Sequence, residues 1–171
     1  MITLVPYVEM NGVRTVSDEI IKDVFQQMKI EKTLETVFYS GEVKNEQDLL
    51  AILKNRNNLH VFVLVDGVVG GFAWINGLKS NYAYAHFCFF KKTWGEHTQE
   101  IGKKLIEYWF SIPDKNGEPL FDVLIGIVPA FNKSAINFIQ KLGLITIGEI
   151  PKMIKKNEDR TSATISYIMR E

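Results

Sequence analysis

The sequence predicts a mixed α/β (α+β) domain, with helices on both faces of a mostly antiparallel central sheet of about seven strands. The chain has 171 residues, which fits a single domain over residues 1–171. Hydrophobic residues make up 46% of the chain, enough to bury a substantial core. The hydrophobic periodicity changes along the chain in an order that places one parallel β-α-β unit in the middle of the sheet.

The first third predicts one strand followed by two helices. A short apolar run indicates a strand over residues 2–8. Ser17 is typical of a helix N-cap and precedes apolar residues at helical spacing, so we expect a helix over about residues 17–29. A second helix is expected over about residues 46–55, because its leucines repeat on one side.

Three β-rich runs follow, at residues 60–65, 68–75 and 82–90. Asp66-Gly67 is a strong hairpin signal between the first two runs, and a turn is expected over residues 76–80 before the third. The three runs therefore predict an antiparallel meander.

The second half predicts the parallel unit and a closing hairpin. A polar irregular segment at residues 91–99 leads to a helix over about residues 98–111. The near-continuous apolar run at residues 121–128 is typical of a buried central strand. A helix is then expected over residues 132–142, with Gly143 as its C-cap. Strands over residues 144–150 and 162–169 end the sheet, and the mixed-charge run at residues 152–160 is expected to be a mobile loop between them.

Charge and cysteine content argue against several classes of function. Lys plus Arg and Asp plus Glu both number 20, so no basic excess is present to hold nucleic acid by counterion release. The single cysteine, Cys88, excludes an intramolecular disulfide and a Cys-rich zinc site, and no metal is expected. No signal peptide or membrane span of ~20 apolar residues is visible, so we expect a cytoplasmic protein without a membrane partner.

One segment carries a family resemblance. Asn132 precedes Ala135 by three residues, Phe138 follows, and the segment closes in Lys-Leu-Gly-Leu at residues 141–144. Together with the order of the elements, this pattern resembles the GNAT superfamily of acyl-CoA-dependent N-acyltransferases over about residues 60–169. A GNAT-like sheet is implied, in which strands 82–90 and 121–128 are parallel neighbours that separate at their C-terminal ends, where CoA enters. An ordinary amphipathic helix with an Asn cap is the alternative interpretation.

The resemblance also implies acetyl-CoA, or a related acyl-CoA, as co-substrate. Family members hold the CoA pyrophosphate with a Gly-rich turn at a helix N-terminus. The motif of this turn can be aligned with the sequence in two ways. In the better alignment, His97 replaces the usual Gln or Arg and Glu100 replaces the first Gly. The other alignment starts at Gln99 and does not match the motif at Lys104. Trp94-Gly95 resembles the dipeptide that opens this turn in members acting on protein N-termini and in divergent phage-encoded members. The residues that we assign to the cofactor are Cys88, Phe89, Phe90, Trp94, Gly95, His97, Thr98, Gln99, Gly102, Lys103, Asn132, Ala135 and Phe138.

The predicted catalytic residue is His86. Members of the family often use a Tyr, seven residues after the Asn that corresponds to Asn132, as the acid that protonates the leaving thiolate. Here that position holds Ile139. His86 lies in the strand before the cofactor turn, and an ordinary histidine pKa suits a base near neutral pH. Strict alternation places His86 on the same face as Tyr84 and Cys88. A buried or edge histidine satisfied by a hydrogen bond is the alternative interpretation.

The sequence leaves two functions open. One is an N-acetyltransferase that moves an acetyl group from acetyl-CoA to an amine by direct attack in a ternary complex, as a monomer or homodimer. Its acceptor could be a protein N-terminus, a lysine or a small amine. The other is a GNAT-fold binding or structural protein without catalysis. His86 and the Asn132 segment favour the first function, whereas Ile139 and Glu100 favour the second.

Overall fold

The computed structural model describes residues 1–79, 81–156 and 159–171. Within these residues the chain forms nine strands, five α-helices and one short 3-10 turn at Lys91–Thr93. In chain order the elements are β1 (Ile2–Pro6), β2 (Glu9–Met10), β3 (Val13–Arg14), α1 (Asp18–Glu31), α2 (Leu34–Val37), α3 (Glu46–Leu53), β4 (Leu59–Val65), β5 (Val68–Asn76), β6 (Tyr82–Phe89), α4 (Glu96–Phe110), β7 (Val123–Pro129), α5 (Lys133–Lys141), β8 (Ile145–Lys156) and β9 (Asp159–Met169).

Seven strands form one sheet in the order β1-β4-β5-β6-β7-β9-β8, and β2 and β3 form a separate small hairpin. Within the seven-stranded sheet, the pair β6–β7 is parallel and the other neighbouring pairs are antiparallel. The predicted sheet type, its strand number and its central parallel unit are confirmed.

The parallel pair is short. Its register joins Tyr82 to Val123, and in the described part of the sheet the pairing stops at Tyr84 and Ile125. Strand β6 nevertheless continues to Phe89 and β7 to Pro129. The two strands therefore separate at their C-terminal ends, as predicted, and leave a gap in the middle of the sheet.

Side-chain alternation buries a hydrophobic core on each face of the sheet. One core packs β6 residues such as Ala83 and Phe89 against α4 and α5, with Trp109 fully buried. The other packs α1 and α3 against the opposite face, where Phe72 and Cys88 lie. The predicted alternation in β6 is confirmed, since its pairing with β5 runs without a register shift.

Side-chain caps explain where three helices begin. The Ser17 hydroxyl accepts the Ile20 N–H at 3.4 Å, which confirms the predicted cap of α1. Asn45 caps α3 in a reciprocal capping box. Asn132 Oδ1 accepts the Ala135 N–H at 3.1 Å and so caps α5.

Several predicted boundaries are wrong. Helix α4 begins at Glu96 rather than near residue 98, because Gly95, at φ +99°, turns the chain directly into the helix. Strands β8 and β9 extend to Lys156 and from Asp159, so the described part of the predicted loop at residues 152–160 is strand, and residues 157–158 lie outside the described residues. Two register shifts break the alternation of β8 and hide its length from the sequence. Strand β1 ends at Pro6, where a short hairpin follows, and part of the turn predicted at residues 76–80, Ser80, lies outside the described residues.

Candidate active site

The gap between β6 and β7 widens into a cleft of about 580 Å³, here called the central cleft. On one face of the sheet its walls are the start of α4 and the inner side of α5. On the other face they are the end of α1 and the segment through α2 to Tyr39. The cleft therefore connects the two faces of the sheet through the gap, so two ligands could enter it from opposite sides.

The structure brings most of the predicted site residues together in this cleft. Ten of them line it: His86, Cys88, Phe89, Trp94, Gly95, Thr98, Gln99, Asn132, Ala135 and Phe138. Four do not: Phe90, His97, Gly102 and Lys103. The role of each residue toward a cofactor stays a prediction.

The four residues outside the cleft have other surroundings. Phe90 is buried in the core beneath α1 and α3. Gly102 lies between α4 and α5, where a Cβ atom would approach Leu142 Cδ1 to 2.6 Å, so the missing side chain lets the two helices pack closely. His97 and Lys103 are exposed on α4. Because α4 starts earlier than predicted, His97 belongs to the helix and not to the loop in which the sequence placed it.

The start of α4 forms one end of the cleft. Trp94 is 54% exposed at the rim, and its Nε1–H donates to the Phe89 carbonyl at 3.0 Å. Gly95 follows as the N-cap and offers no side chain, so the first N–H groups of α4 are approachable. Helix N-termini attract anions through such groups and the helix dipole. Glu100, which the sequence placed in the anion-binding turn, does not line the cleft, and its carboxylate lies 3.8 Å from Lys104 Nζ.

Helix α5 contributes an apolar wall. The ring of Phe138 meets Phe87 and Phe89 edge to face, at centroid distances of 5.5 and 5.6 Å. Ala135 lines the same wall with a small side chain, and Ile139 is 3% exposed. Ile139 thus closes the wall with a hydrocarbon, which can donate no proton.

His86 is held in a fixed orientation at the centre of the site. Its ring stacks on Trp74, with centroids 4.6 Å apart and planes 8° apart. Its Nε2 lies 3.2 Å from Asn76 Oδ1, so in the Nε2–H tautomer it donates to Asn76 and Nδ1 keeps its lone pair. Desolvation lowers the pKa of His86 to about 4. The ordinary histidine pKa expected from the sequence is therefore wrong, and His86 is neutral at pH 7.

Cys88 has the properties of a buried apolar residue. It is 2% exposed, and burial raises the pKa of its thiol to about 12. The reactive form of a cysteine is the thiolate, so the structure argues against a nucleophilic role. The sequence also favoured a packing role for Cys88 over a nucleophilic one.

A second cavity of about 340 Å³, here called the side cavity, adjoins the central cleft on the α1–α3 face. Tyr39, His86 and Ile127 line both cavities, so the two spaces meet at these side chains. Among the described residues, the lining of the side cavity is Tyr39, Ser40, Asn76, Tyr84, His86, Ile127, Met153, Ile154 and Lys155.

Sequence reasoning missed Tyr39 and the β8 residues of the side cavity. Tyr39 lies just after α2, a helix of four residues that is too short for a periodic signal. Met153, Ile154 and Lys155 lie beyond a register shift in β8, in the segment predicted as a loop. An aromatic residue between two predicted helices was the available signal for Tyr39. Burial and the charge of Glu42 raise the pKa of Tyr39, so its hydroxyl stays protonated.

Within residues 1–79, 81–156 and 159–171, no group of three or more His, Cys, Asp or Glu side chains could hold a metal ion. In the same residues, no helix is both long enough and apolar enough to cross a membrane.

A scan against protein-family models finds no match, and a search of curated proteins finds none either. Solved acetyltransferase structures match over nearly the whole chain. A GNAT-family acetyltransferase from Bacillus anthracis matches with a TM-score of 0.70 and 14% identity, over 90% of each chain. This chain has the GNAT fold.

Two further solved structures that match are of acetyltransferases with different acceptors. Spermidine N-acetyltransferase from Vibrio cholerae, in complex with CoA and spermine, matches with a TM-score of 0.72 and 12% identity, over 98% of this chain and 95% of that chain. An acetyltransferase from Salmonella typhimurium that modifies the N-terminal serine of ribosomal protein L7/L12 matches with a TM-score of 0.75 and 8% identity, over 91% and 92%. The GNAT resemblance inferred from the sequence is thus confirmed for the fold, which accommodates more than one kind of acceptor.

Proposed function

We propose that this protein is an N-acetyltransferase that transfers the acetyl group of acetyl-CoA to an amine by direct attack in a ternary complex. The observation that carries the proposal is the junction of the two cavities at His86 and Tyr39. A thioester in the central cleft and an amine in the side cavity would meet at this junction. Holding both reactants in one site also lowers the entropic cost of their reaction.

The cofactor would lie along the α4 and α5 walls of the central cleft. Its pyrophosphate suits the N-terminus of α4, where Gly95 leaves the backbone N–H groups approachable. Its apolar stretches suit the wall that includes Phe138 and Ala135. Asn132 lines the cleft and has its Oδ1 engaged as a cap, so its side-chain amide N–H groups would serve a ligand.

In the proposed reaction the amine nitrogen forms a bond to the thioester carbon, the carbon–sulfur bond breaks, and CoA leaves as a thiol or thiolate. A primary amine with a pKa near ~10.4 must lose one proton before attack and another after it. The unprotonated Nδ1 of His86 would accept a hydrogen bond from the amine. With a pKa of about 4, His86 would pass the proton on to solvent and would not retain it.

Of the three described residues that line both cavities, Tyr39 carries a hydroxyl. Its raised pKa keeps the hydroxyl available as a donor. We propose that it donates a hydrogen bond to the thioester carbonyl oxygen or to the departing sulfur. The side chain of Ile139 has no donor and cannot make this bond. A thiolate with a pKa near ~8.5 needs little more than such a bond in order to leave.

The second candidate is a binding protein with the GNAT fold and no catalysis, which the buried Ile139 favours. Two measurements distinguish the candidates. Acetyl-CoA at one hundred times its dissociation constant should raise the free energy of unfolding by ~2.7 kcal/mol. Release of the CoA thiol should depend on an added amine and exceed hydrolysis without amine. Absence of stabilisation at millimolar acetyl-CoA would contradict both candidates as CoA-binding proteins, whereas stabilisation without amine-dependent release would favour the binding protein.

A further inference from the structure

The side cavity has a distinctive charge pattern. Among its described lining residues, Lys155 is the charged side chain, and no carboxylate lines the cavity. Neutral polar groups come from Ser40 and Asn76 and from two tyrosines, Tyr39 and Tyr84. The rest of the lining is aliphatic, apart from His86, which is neutral at pH 7. The cavity therefore has a largely uncharged lining, with one positively charged side chain among its described residues.

Two carboxylates outside the described lining of the side cavity, Glu42 and Glu31, accept hydrogen bonds from neutral groups. Glu42 accepts a hydrogen bond from the Ser40 hydroxyl outside the cavity lining. Glu31 lines the central cleft, but its two oxygens accept from the Gln27 side chain and from the Lys91 N–H, both at 2.7 Å. A second cation on an acceptor would therefore find no lining carboxylate in the described side cavity.

The conformation of β8 brings Lys155 to the cavity. The β8–β9 register shifts between Ile150 and Ile154, and Lys152 within the shift has φ +57°. A bulge of this kind redirects the side chains that follow it. Lys155 pairs across the hairpin with Arg160, and directly paired residues project to the same face of a sheet. A second positive charge thus lies beside Lys155 at the rim.

We propose that the acceptor is a small amine whose apolar or aromatic body carries a negatively charged group, which Lys155 binds while the amine reaches His86. This inference deepens the proposed N-acetyltransferase function and rests on it. It separates this chain from a polyamine-specific enzyme, because the second ammonium group of a polyamine would face Lys155 with no carboxylate among the described lining residues.

A matched series of amines tests the charge preference. The probes are para-(aminomethyl)benzoate, para-(aminomethyl)benzamide and para-xylylenediamine, which share one body and differ in a remote negative, neutral or positive group. We expect kcat/KM for the benzoate to exceed that for the diamine by about tenfold, equivalent to ~1.4 kcal/mol. Lys155→Gln should reduce this ratio to below about threefold, and Lys155→Glu should reverse the order.

The control is Lys115→Glu, which makes the same charge change at an exposed residue that lines neither cavity. It should leave the preference unchanged. A wild-type preference for the diamine that is lost in Glu42→Gln would overturn the proposal and assign recognition to Glu42. An unchanged preference in Lys155→Gln would overturn it as well.

Binding of the same probes to the protein–CoA complex separates this proposal from the proposed function. Calorimetry should show tightest binding of the benzoate, weakened by Lys155→Gln. If no probe is acetylated but this pattern of binding is found, the acceptor site stands and the N-acetyltransferase function fails. If CoA binds and acetylation of other amines is observed, but the benzoate neither binds nor reacts, the acceptor proposal fails alone.

Discussion

His86 determines what pH dependence to expect from a single residue. Because its pKa is about 4, His86 stays neutral from pH 5 upward and supplies no titration step in the usual histidine range. We expect turnover to rise smoothly toward the pKa of the amine, without an inflection between about pH 6 and pH 8. His86→Gln should lower kcat by about 100-fold, the lower end of the effect of a general base, without changing the shape of that profile.

The measurement is kcat against pH for the wild type and the variant, with CoA affinity as the check on folding. A loss below about threefold would show that His86 does not take part in proton transfer. A wild-type inflection near the ordinary histidine pKa that disappears in the variant would show that the desolvation of His86 is relieved when substrates bind.

Tyr39 supports a second prediction at the same scale. Tyr39→Phe removes a hydroxyl and keeps the ring, so it should lower kcat by about tenfold to 100-fold, the effect of losing a hydrogen bond to a developing charge. The affinity for acetyl-CoA should change little, because this bond strengthens in the transition state. Tyr82→Phe is the matched control, since Tyr82 lies on β6 and lines neither cavity. Equal kcat values for Tyr39→Phe and the wild type would exclude the donor role.

At the scale of an element, α5 has its cap in the cleft while α3 has its cap elsewhere. Asn132→Ala and Asn45→Ala should each lower the free energy of unfolding by about 1 kcal/mol, because each loses an N-cap. Only Asn132 lines the central cleft, so only Asn132→Ala should also weaken acetyl-CoA binding. Asn132→Ser retains a capping oxygen and should restore stability without restoring affinity. Denaturant unfolding and calorimetry measure the two effects, and equal CoA affinities in both Ala variants would limit Asn132 to a structural role.

The elements also show how much of the fold could be predicted from the sequence. Periodicity predicted β4 to β7 and their order because each strand is buried against a core, which fixes its hydrophobic pattern. Strand β8 was predicted too short, because residues 145–153 are exposed and two register shifts interrupt the alternation. The position of His86 was predictable from its strand, but its pKa depends on desolvation by burial, which only the packed structure supplies.

At the scale of the whole molecule, buried histidines predict sensitivity to acid. His60 is 3% exposed, its Nε2 lies 3.0 Å from the Ile52 carbonyl, to which it donates as Nε2–H, and burial lowers its pKa from 6.5 to about 4. Between these values the unfolded chain binds the proton and the folded chain does not. The free energy of unfolding should therefore fall as the pH drops from 6.5 to about 4, by at most ~3 kcal/mol from His60, and then level off for this group.

Urea unfolding from about pH 7 to about pH 4 measures this slope, and His60→Gln, which carries no charge at either pH, should reduce it. His86 acts in the same direction and should account for part of the remaining slope. Carboxylates with lowered pKa values, such as the half-buried Asp18 and the exposed Asp66, lose their contribution at lower pH. An identical slope in His60→Gln would show that His60 becomes protonated without unfolding the protein.

The short pairing between β6 and β7 divides the sheet into two plates that follow one another in the chain. Strands β1, β4, β5 and β6 come from residues up to 89, and β7, β8 and β9 come from residue 123 onward. Three residue pairs form the seam between them. A break in the exposed residues 115–118 would leave every strand of both plates intact. Because a ligand in the central cleft touches both plates, two such fragments should reassemble more tightly in its presence, so that a divided form of this chain would act as a sensor of its own ligand.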